Sequence, residues 1–248
     1  MNTLFTGRHI IRLDSVDSTN NYAAKLVRET NWTDGTVILA EEQTAGKGRN
    51  GKQWQSARGS SLTCTYVFKS IQLDLPYLFM INMVAGIAVF ETVSRFIKND
   101  KIKVKWPNDI YVGNKKIAGI LTETQIRGSK LNVAIIGIGL NLDFSDRSLL
   151  QATSLLQEGV EVDKDEVLKA LSEELERSIF ELHRDQGALL HRYNSALFLK
   201  DSISNYQLED GTSVHAKLLH VSMDGAANFE IDGKERPFYM DEISWIGS

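Results

Sequence analysis

The chain has 248 residues, a formal net charge of −4 and an apolar share of 42%, enough for a substantial core in one large or two unequal domains. The slightly acidic balance gives no global electrostatic support for bulk nucleic-acid binding, so any positive site must be local. The lone cysteine, Cys64, excludes an internal disulfide framework and fits a cytoplasmic protein.

Met1–Arg12 has no long apolar run of the kind a secretory signal needs. In chain order, Asp17-Ser18-Thr19-Asn20 precedes a helically spaced run at 22–27, with Ser18 or Asp17 as the N-cap. A strand is expected near 36–42, then a glycine-rich basic loop, then a strand near 62–68. A long helix is expected over 75–98. Its apolar stretch Tyr77–Phe90 contains Asn82 and is too short to span a bilayer, so it reads as a buried helix and no membrane role is expected. Strands follow near 102–106 and 109–112. Gly113-Asn114 reads as a hairpin turn into a strand from Lys115 to about 125, and Arg127-Gly128-Ser129 turns into another over 131–139. Residues 163–198 read as two helices, the first with Val167, Leu168, Leu171, Leu175 and Ile179 on one face. Beyond residue 200, Asp210-Gly211, Asp224-Gly225 and Asp232-Gly233 punctuate short apolar runs, the pattern of a small antiparallel barrel. The expected division is 1–198 and 199–248, with an α+β fold of a mixed sheet flanked by helices in the larger part. The histidines (His9, His183, His191, His215, His220) form no H-x-x-x-H pattern and there is no C-x-x-C, so no structural zinc site is expected.

The loop Gly46-Lys47-Gly48-Arg49-Asn50-Gly51-Lys52, followed by Gln53-Trp54, joins permissive backbone, three cations and an aromatic ring. It satisfies G-x-G-x-x-G literally, but a strand rather than a helix follows. It also fits G-x-x-x-x-G-K, but Gln53 stands where a P-loop carries Ser or Thr. Without a helix N-terminus neither anion site has its usual dipole. Lys105-Trp106-Pro107-Asn108-Asp109 gathers a cation, an amide and a carboxylate at a bend. Lys116 enters the apolar run Ile117-Ala118-Gly119-Ile120-Leu121, where an unpaired charge is costly, so it should meet an anion: either a nearby acidic side chain or a bound phosphate or carboxylate. Gly137-Ile138-Gly139-Leu140-Asn141 ends a strand with two glycines, which permit close approach of a ligand or another backbone.

Taken together, these segments resemble the biotin protein ligases, also called biotin–[acetyl-CoA-carboxylase] ligases. The motifs occur in the family's order and cover 14–143 densely, and the barrel segment resembles the family's small SH3-like domain more weakly. Only sixteen residues precede Asp17, leaving no room for the helix-turn-helix of the repressor members, so the chain resembles the short class and no operator binding to DNA is expected. Lys47 departs from the arginine many members carry, keeping charge but losing the planar fork.

The resemblance implies that biotin and ATP with magnesium give biotinyl-5′-AMP and pyrophosphate, and that the adenylate then acylates a lysine of a biotin carboxyl carrier domain. It implies a class II aminoacyl-tRNA synthetase-like catalytic fold. For biotin it points to Ser18, Thr19, Asn20, Gln43, Gly46, Lys47, Gly48, Lys116 and Gly119. For ATP and the adenylate it points to Arg49, Lys52, Trp54, Asn108, Lys116 and Asn141. As catalytic groups it points to Arg49, Lys116, Lys105 and Asp109, the last accepting or orienting the acceptor lysine's proton. Magnesium would be held mainly through phosphates, with no protein metal site and no tightly bound prosthetic group. A homodimer is an open expectation. The loop would close over the adenylate as a lid, and such glycine-rich chain is suited to disorder when empty. A lipoate ligase should show an R-R-x-S-G-G-G run, which is absent. A dinucleotide oxidoreductase lacks the helix after the loop. A mere biotin-binding module has no use for Arg49, Trp54, Lys105 and Lys116 together.

Overall fold

The structure is a computed structural model and describes residues 2–29, 31–98, 100–143 and 151–247. A seven-stranded mixed sheet is built from β1 (Ile10–Val16), β2 (Thr36–Gln43), β3 (Ser61–Phe68), β4 (Ile102–Lys105), β5 (Asp109–Val112), β6 (Lys115–Arg127) and β7 (Lys130–Asn141), in the order β1-β2-β3-β7-β6-β5-β4. Only β1 and β2 run parallel, joined by helix α1 (Thr19–Glu29), so the ends of both strands reach the same edge of the sheet. β1 had no sequence signal. Its polar Arg12 and Asp14 and half-exposed pattern mask an edge strand, and no alternation of large apolar residues marks it.

The two faces of the sheet divide the labour. On one, Ile38, Val67, Val133 and Ile135 pack beneath Tyr22, Ala23 and Leu26 of α1. On the other, Leu39, Cys64, Tyr66, Ile136 and Leu140 meet α2 (Met80–Phe96), α3 (Lys164–Arg184) and α4 (Gln186–Ser195). The helix expected from residue 75 starts at Met80, because Pro76 sits in a separate 3-10 turn, Leu75–Tyr77. By length and composition the segment Leu75–Phe96 would suffice to cross a bilayer, but α2 is buried on most sides between sheet, α3 and α4. Asp163 caps α3, accepting from Asp165 N (2.8 Å), and Asp185 caps α4, accepting from Ala188 N (2.9 Å). The outer edge of β4 is closed by Ala196–Phe198 through Val104 N to Ala196 O and Phe198 N to Val104 O, both 2.8 Å.

The N-terminal segment is clasped by α3. The buried carboxylate of Glu176 accepts from the amides of Leu4 (2.7 Å), Phe5 (3.0 Å) and Thr6 (3.0 Å). Removing it orphans three donors that β1 does not satisfy. Glu176→Ala is therefore expected to cost about 1–3 kcal/mol in a urea titration, and an unchanged midpoint would show that the clasp carries no stability.

A second, antiparallel sheet has β8 (Ile203–Leu208), β9 (Ser213–Val221), β10 (Ala227–Ile231), β11 (Lys234–Phe238) and β12 (Ile243–Gly247) in the order β11-β10-β9-β8-β12. Tyr206, Phe229 and Phe238 pack edge to face inside it. It is keyed to the large sheet by Trp106 Nε1 donating to Gly225 O at 3.1 Å and by ring contacts among Tyr111, Phe198 and Trp245.

Candidate active site

Cross-strand register lays one row across the large sheet: Leu13, Ala40, Thr63, Gly139, Gly119, Asp109 and Lys105. Two residues along, Ile38, Thr65, Gly137 and Leu121 form a parallel row on the same face. Where α1 covers this face the positions are apolar. Beyond its first turn they become glycine and threonine, and there the pocket opens.

At one end a polar cradle surrounds the start of α1. Thr19 donates to Gln43 Oε1 from both N (2.8 Å) and Oγ1 (2.9 Å). That contact, rather than a hydroxyl cap from Ser18, meets the first amide of the helix. Asn20 donates to Glu123 Oε2 (2.8 Å), and its Oδ1 lies 2.7 Å from Thr65 Oγ1. These pairings fix both amide side chains, so the cradle presents oriented donors and acceptors without rotamer search. The absence of Cβ atoms makes the space: one on Gly137 would lie 2.2 Å from Asn20 Oδ1.

In the middle the indole of Trp54 lies on bare backbone. A Cβ on Gly139 would stand 2.3 Å from Trp54 Cε2, and one on Gly119 would stand 3.1 Å from Cζ3. The glycines of the two strand motifs are thus direct partners that receive a flat ring. The cavity lined by these residues is about 240 Å³, just below the usual ligand-site range of roughly 300–1,000 Å³. The indole therefore takes up room that a bound ring would share.

The loop roofs the other end. Gly48 N donates to Lys52 O (2.7 Å), Lys52 N to Arg49 O (2.9 Å) and Trp54 N to Gly46 O (3.0 Å), folding residues 46–54 into a closed hairpin rather than open chain. Gly46 is required there, since a Cβ would fall 2.4 Å from Trp54 O and 2.8 Å from Gln43 Nε2. The turn at the tip is the 3-10 segment Arg49–Gly51, followed at residue 61 by β3, so neither helix-dependent phosphate motif is present. Arg49 reaches Asn108 Oδ1 at 3.4 Å and pairs at 2.8 Å with Asp241, in the turn between β11 and β12 of the second sheet.

Lys116 pairs with Asp109 at 2.7 Å and lies 5.7 Å from the Trp54 ring centroid. The acidic side chain expected beside it is thus Asp109. Lys105, at the end of the same row, donates to Tyr111 Oη at 3.1 Å and sits 4.8 Å and 5.0 Å from the rings of Tyr111 and Trp245. Burial in this cage lowers its pKa, against the pull of Asp109 and assisted by Lys116 and Lys52. Burial, helped by Asp109, raises the Tyr111 phenol to about 12.

The pocket thus brings together Ser18, Thr19, Asn20, Gln43, Lys47, Gly48, Arg49, Lys52, Trp54, Asn108, Asp109, Lys116 and Gly119. Three expected residues stand elsewhere. Gly46 shapes the loop from behind. Lys105 lines an adjoining cavity at the junction with the second sheet. Asn141 is buried, donating to Thr153 O at 3.0 Å and 3.4 Å from Ser61 Oγ, so its amide is spent holding the segment after β7. Sequence reading missed Thr63, Thr65 and Asp241. The threonines read as ordinary strand residues, and Asp241 lies in a distant segment with no motif around it. Among the described residues no group of three metal-ligating side chains occurs.

A slot with fixed amides at one end and convergent cations at the other, on a mixed sheet backed by helices, is the layout of an enzyme that joins an organic acid to a nucleotide: an adenylate-forming ligase. Residues 13–141 match the Biotin/lipoate A/B protein ligase family. The chain is 31% identical over 235 residues to the bifunctional ligase/repressor BirA of Bacillus spizizenii, covering 92% of this chain and 68% of that one. It is 30% identical over 245 residues to BirA of Escherichia coli, covering 96% and 74%. The biotin protein ligase of Aquifex aeolicus in complex with biotin and ATP superposes with a TM-score of 0.79 at 25% identity, over 97% of this chain and 100% of that one. The chain belongs to the Biotin/lipoate A/B protein ligase family.

Proposed function

We propose that the chain is an ATP-dependent biotin–protein ligase. In the first step a biotin carboxylate oxygen attacks the α-phosphorus of MgATP, forming biotinyl-5′-AMP and releasing pyrophosphate. In the second, the ε-amine of an acceptor lysine attacks the acyl carbon and AMP leaves. The carrying observation is the position of Lys116. It stands between the oriented amides of the cradle and the Arg49 loop, on the strand whose Gly119 and Leu121 border the slot.

Biotin's ureido ring has donors and an acceptor in fixed positions, which suit Asn20, Gln43, Thr19 and Ser18. Its aliphatic tail would run along the glycine strip toward Lys116 once the Trp54 indole has moved off Gly119 and Gly139. Two anions must then meet, and Lys116 and Arg49 supply preorganised positive charge where negative charge gathers on phosphate oxygens. The Lys116–Asp109 pair becomes useful here. When carboxylate or phosphate takes the ammonium, Asp109 is released beside the reacting carbon and can accept or orient the proton of a lysine whose ordinary pKa is about 10.4. Trp54, displaced from the glycines, would lay its ring on the adenine, a stack worth about 1–3 kcal/mol. Magnesium enters as MgATP and is held through its phosphates. The acceptor is a biotin carboxyl carrier domain, with that of acetyl-CoA carboxylase as the first candidate. We treat residues 199–248 as a separate small domain and place the protein in the cytoplasm, in keeping with the single buried Cys64.

Pyrophosphate release from MgATP tests the reading. Release is expected with biotin, and background release with lipoate or with neither acid. Lipoate-dependent release would move the chain to the other branch of its family, and no acid-dependent release would remove the ligase reading.

A further inference from the structure

The loop is joined to the turn before β12 of the second sheet through Asp241. Arg49 Nη2 donates to both of its carboxylate oxygens, at 2.9 and 2.8 Å, and Asn50 Nδ2 donates to Oδ1 at 2.7 Å. Asp241 holds φ +77° and Asn50 holds φ +53°, a region most side chains avoid. Both ends of the contact therefore accept unfavourable backbone at positions where glycine would be easier, and each keeps a hydrogen-bonding side chain instead. The pairing engages only Nη2 of Arg49, while Nη1 is turned toward Asn108 at 3.4 Å. A guanidinium has five N–H donors, so Arg49 can hold Asp241 and a phosphate at the same time.

We propose that Asp241 is a positioning residue for the glycine-rich loop. It tethers the loop tip to the C-terminal sheet, keeps the hairpin closed and aims Nη1 of Arg49 at the phosphate. The C-terminal sheet thereby takes part in retaining the product of the first step, without touching the reacting atoms. The effect on the adenylate rests on the ligase reading above, but the effect on the loop does not.

Asp241→Gly is the informative variant, because it deletes the carboxylate and suits the left-handed backbone, so folding is preserved. Two measurements on the full chain test the tether. Amide hydrogen exchange over residues 46–54 without ligand is expected to speed up by about tenfold, the scale of a partly exposed charge-assisted contact. Loss of preformed biotinyl-5′-AMP is expected to speed up by a similar factor, roughly tenfold, while single-turnover pyrophosphate release slows by less than in Arg49→Gly, which loses the cation itself. Unchanged exchange together with unchanged adenylate loss would overturn the proposal. So would a lower KM for MgATP without faster adenylate loss, since Asp241 would then compete with phosphate for Arg49. If the parent makes no adenylate, the ligase reading fails while the exchange measurement still decides the tether.

Discussion

Lys116→Ala is expected to lower adenylate formation by about 10²–10³-fold while changing biotin affinity by less than about tenfold. The ammonium stands 2.7 Å from Asp109 and on the path between the cradle and the loop. Its removal takes away the cation proposed above as the point where the two anionic reactants converge. It also leaves the largely buried Asp109 carboxylate without its ion-pair partner, with only the more distant Lys105 as a cation near it, and that carboxylate then repels both reactants. The amides of Asn20 and Gln43, proposed above to hold the biotin ring, are fixed by Thr65, Glu123 and Thr19, none of which depends on Lys116. Pyrophosphate release in a single turnover, set beside calorimetric biotin titration, separates the two effects. Near-normal pyrophosphate release would remove Lys116 from the chemistry.

Arg49→Gly is expected to act on both rate and retention. The side chain supplies the loop's cation toward Asn108 and half of the contact with Asp241. Its loss should slow adenylate synthesis and release the intermediate at least about 10²-fold faster, since an open site no longer shields the mixed anhydride from solvent. Freed adenylate acylates lysines without selection, so biotin should appear on a bystander protein as well as on the carrier domain. The comparison with Asp241→Gly is diagnostic. Both variants should leak, and the arginine variant should be much the slower in adenylate synthesis, because it loses the cation and not only its tether. An Arg49→Gly protein that modifies the carrier alone and holds its adenylate as the parent does would show that the loop is no lid.

Much of this site was legible before the fold was known because its residues lie in compact runs. Asp17 to Asn20, Gln43 to Trp54, Lys105 to Asp109 and Lys116 to Leu121 each place several groups within one turn or strand end, where spacing and residue type carry information. Buried strands such as Ser61–Phe68 and the apolar α2 followed from their composition. What escaped depended on distant partners. β1 exists because β2 offers it a parallel edge after a helical crossover, and Arg12 and Asp14 hide the pattern. Asn141 ends a glycine-rich strand as a ligand residue would, yet its amide serves Thr153. Lys105 sits on the same row as Asp109, but Tyr111 and Trp245 enclose it in a cage, and Trp245 lies in a strand of the other sheet. Asp241 is separated from Arg49 by 192 residues, and a single aspartate before a short strand announces nothing.

Gly119 and Gly139, paired across β6 and β7, have a consequence for how this enzyme can change. The floor of the slot at these two positions is main chain, and neighbouring strands are held about 4.8 Å apart by their hydrogen-bond ladder. The floor itself has no rotamer to turn and no side chain to trim. Enlargement by substitution at the floor is closed off, because glycine is already the smallest residue, and every replacement there narrows the opening. Acceptance of bulkier acids would have to come from re-bending the sheet or from moving Trp54. The tip of the roof, in contrast, is made of side chains and can be retuned one residue at a time. Choice of substrate is thus written in the stiffest part of the molecule and duration of holding in the most adjustable part, so the two properties can drift apart without disturbing each other.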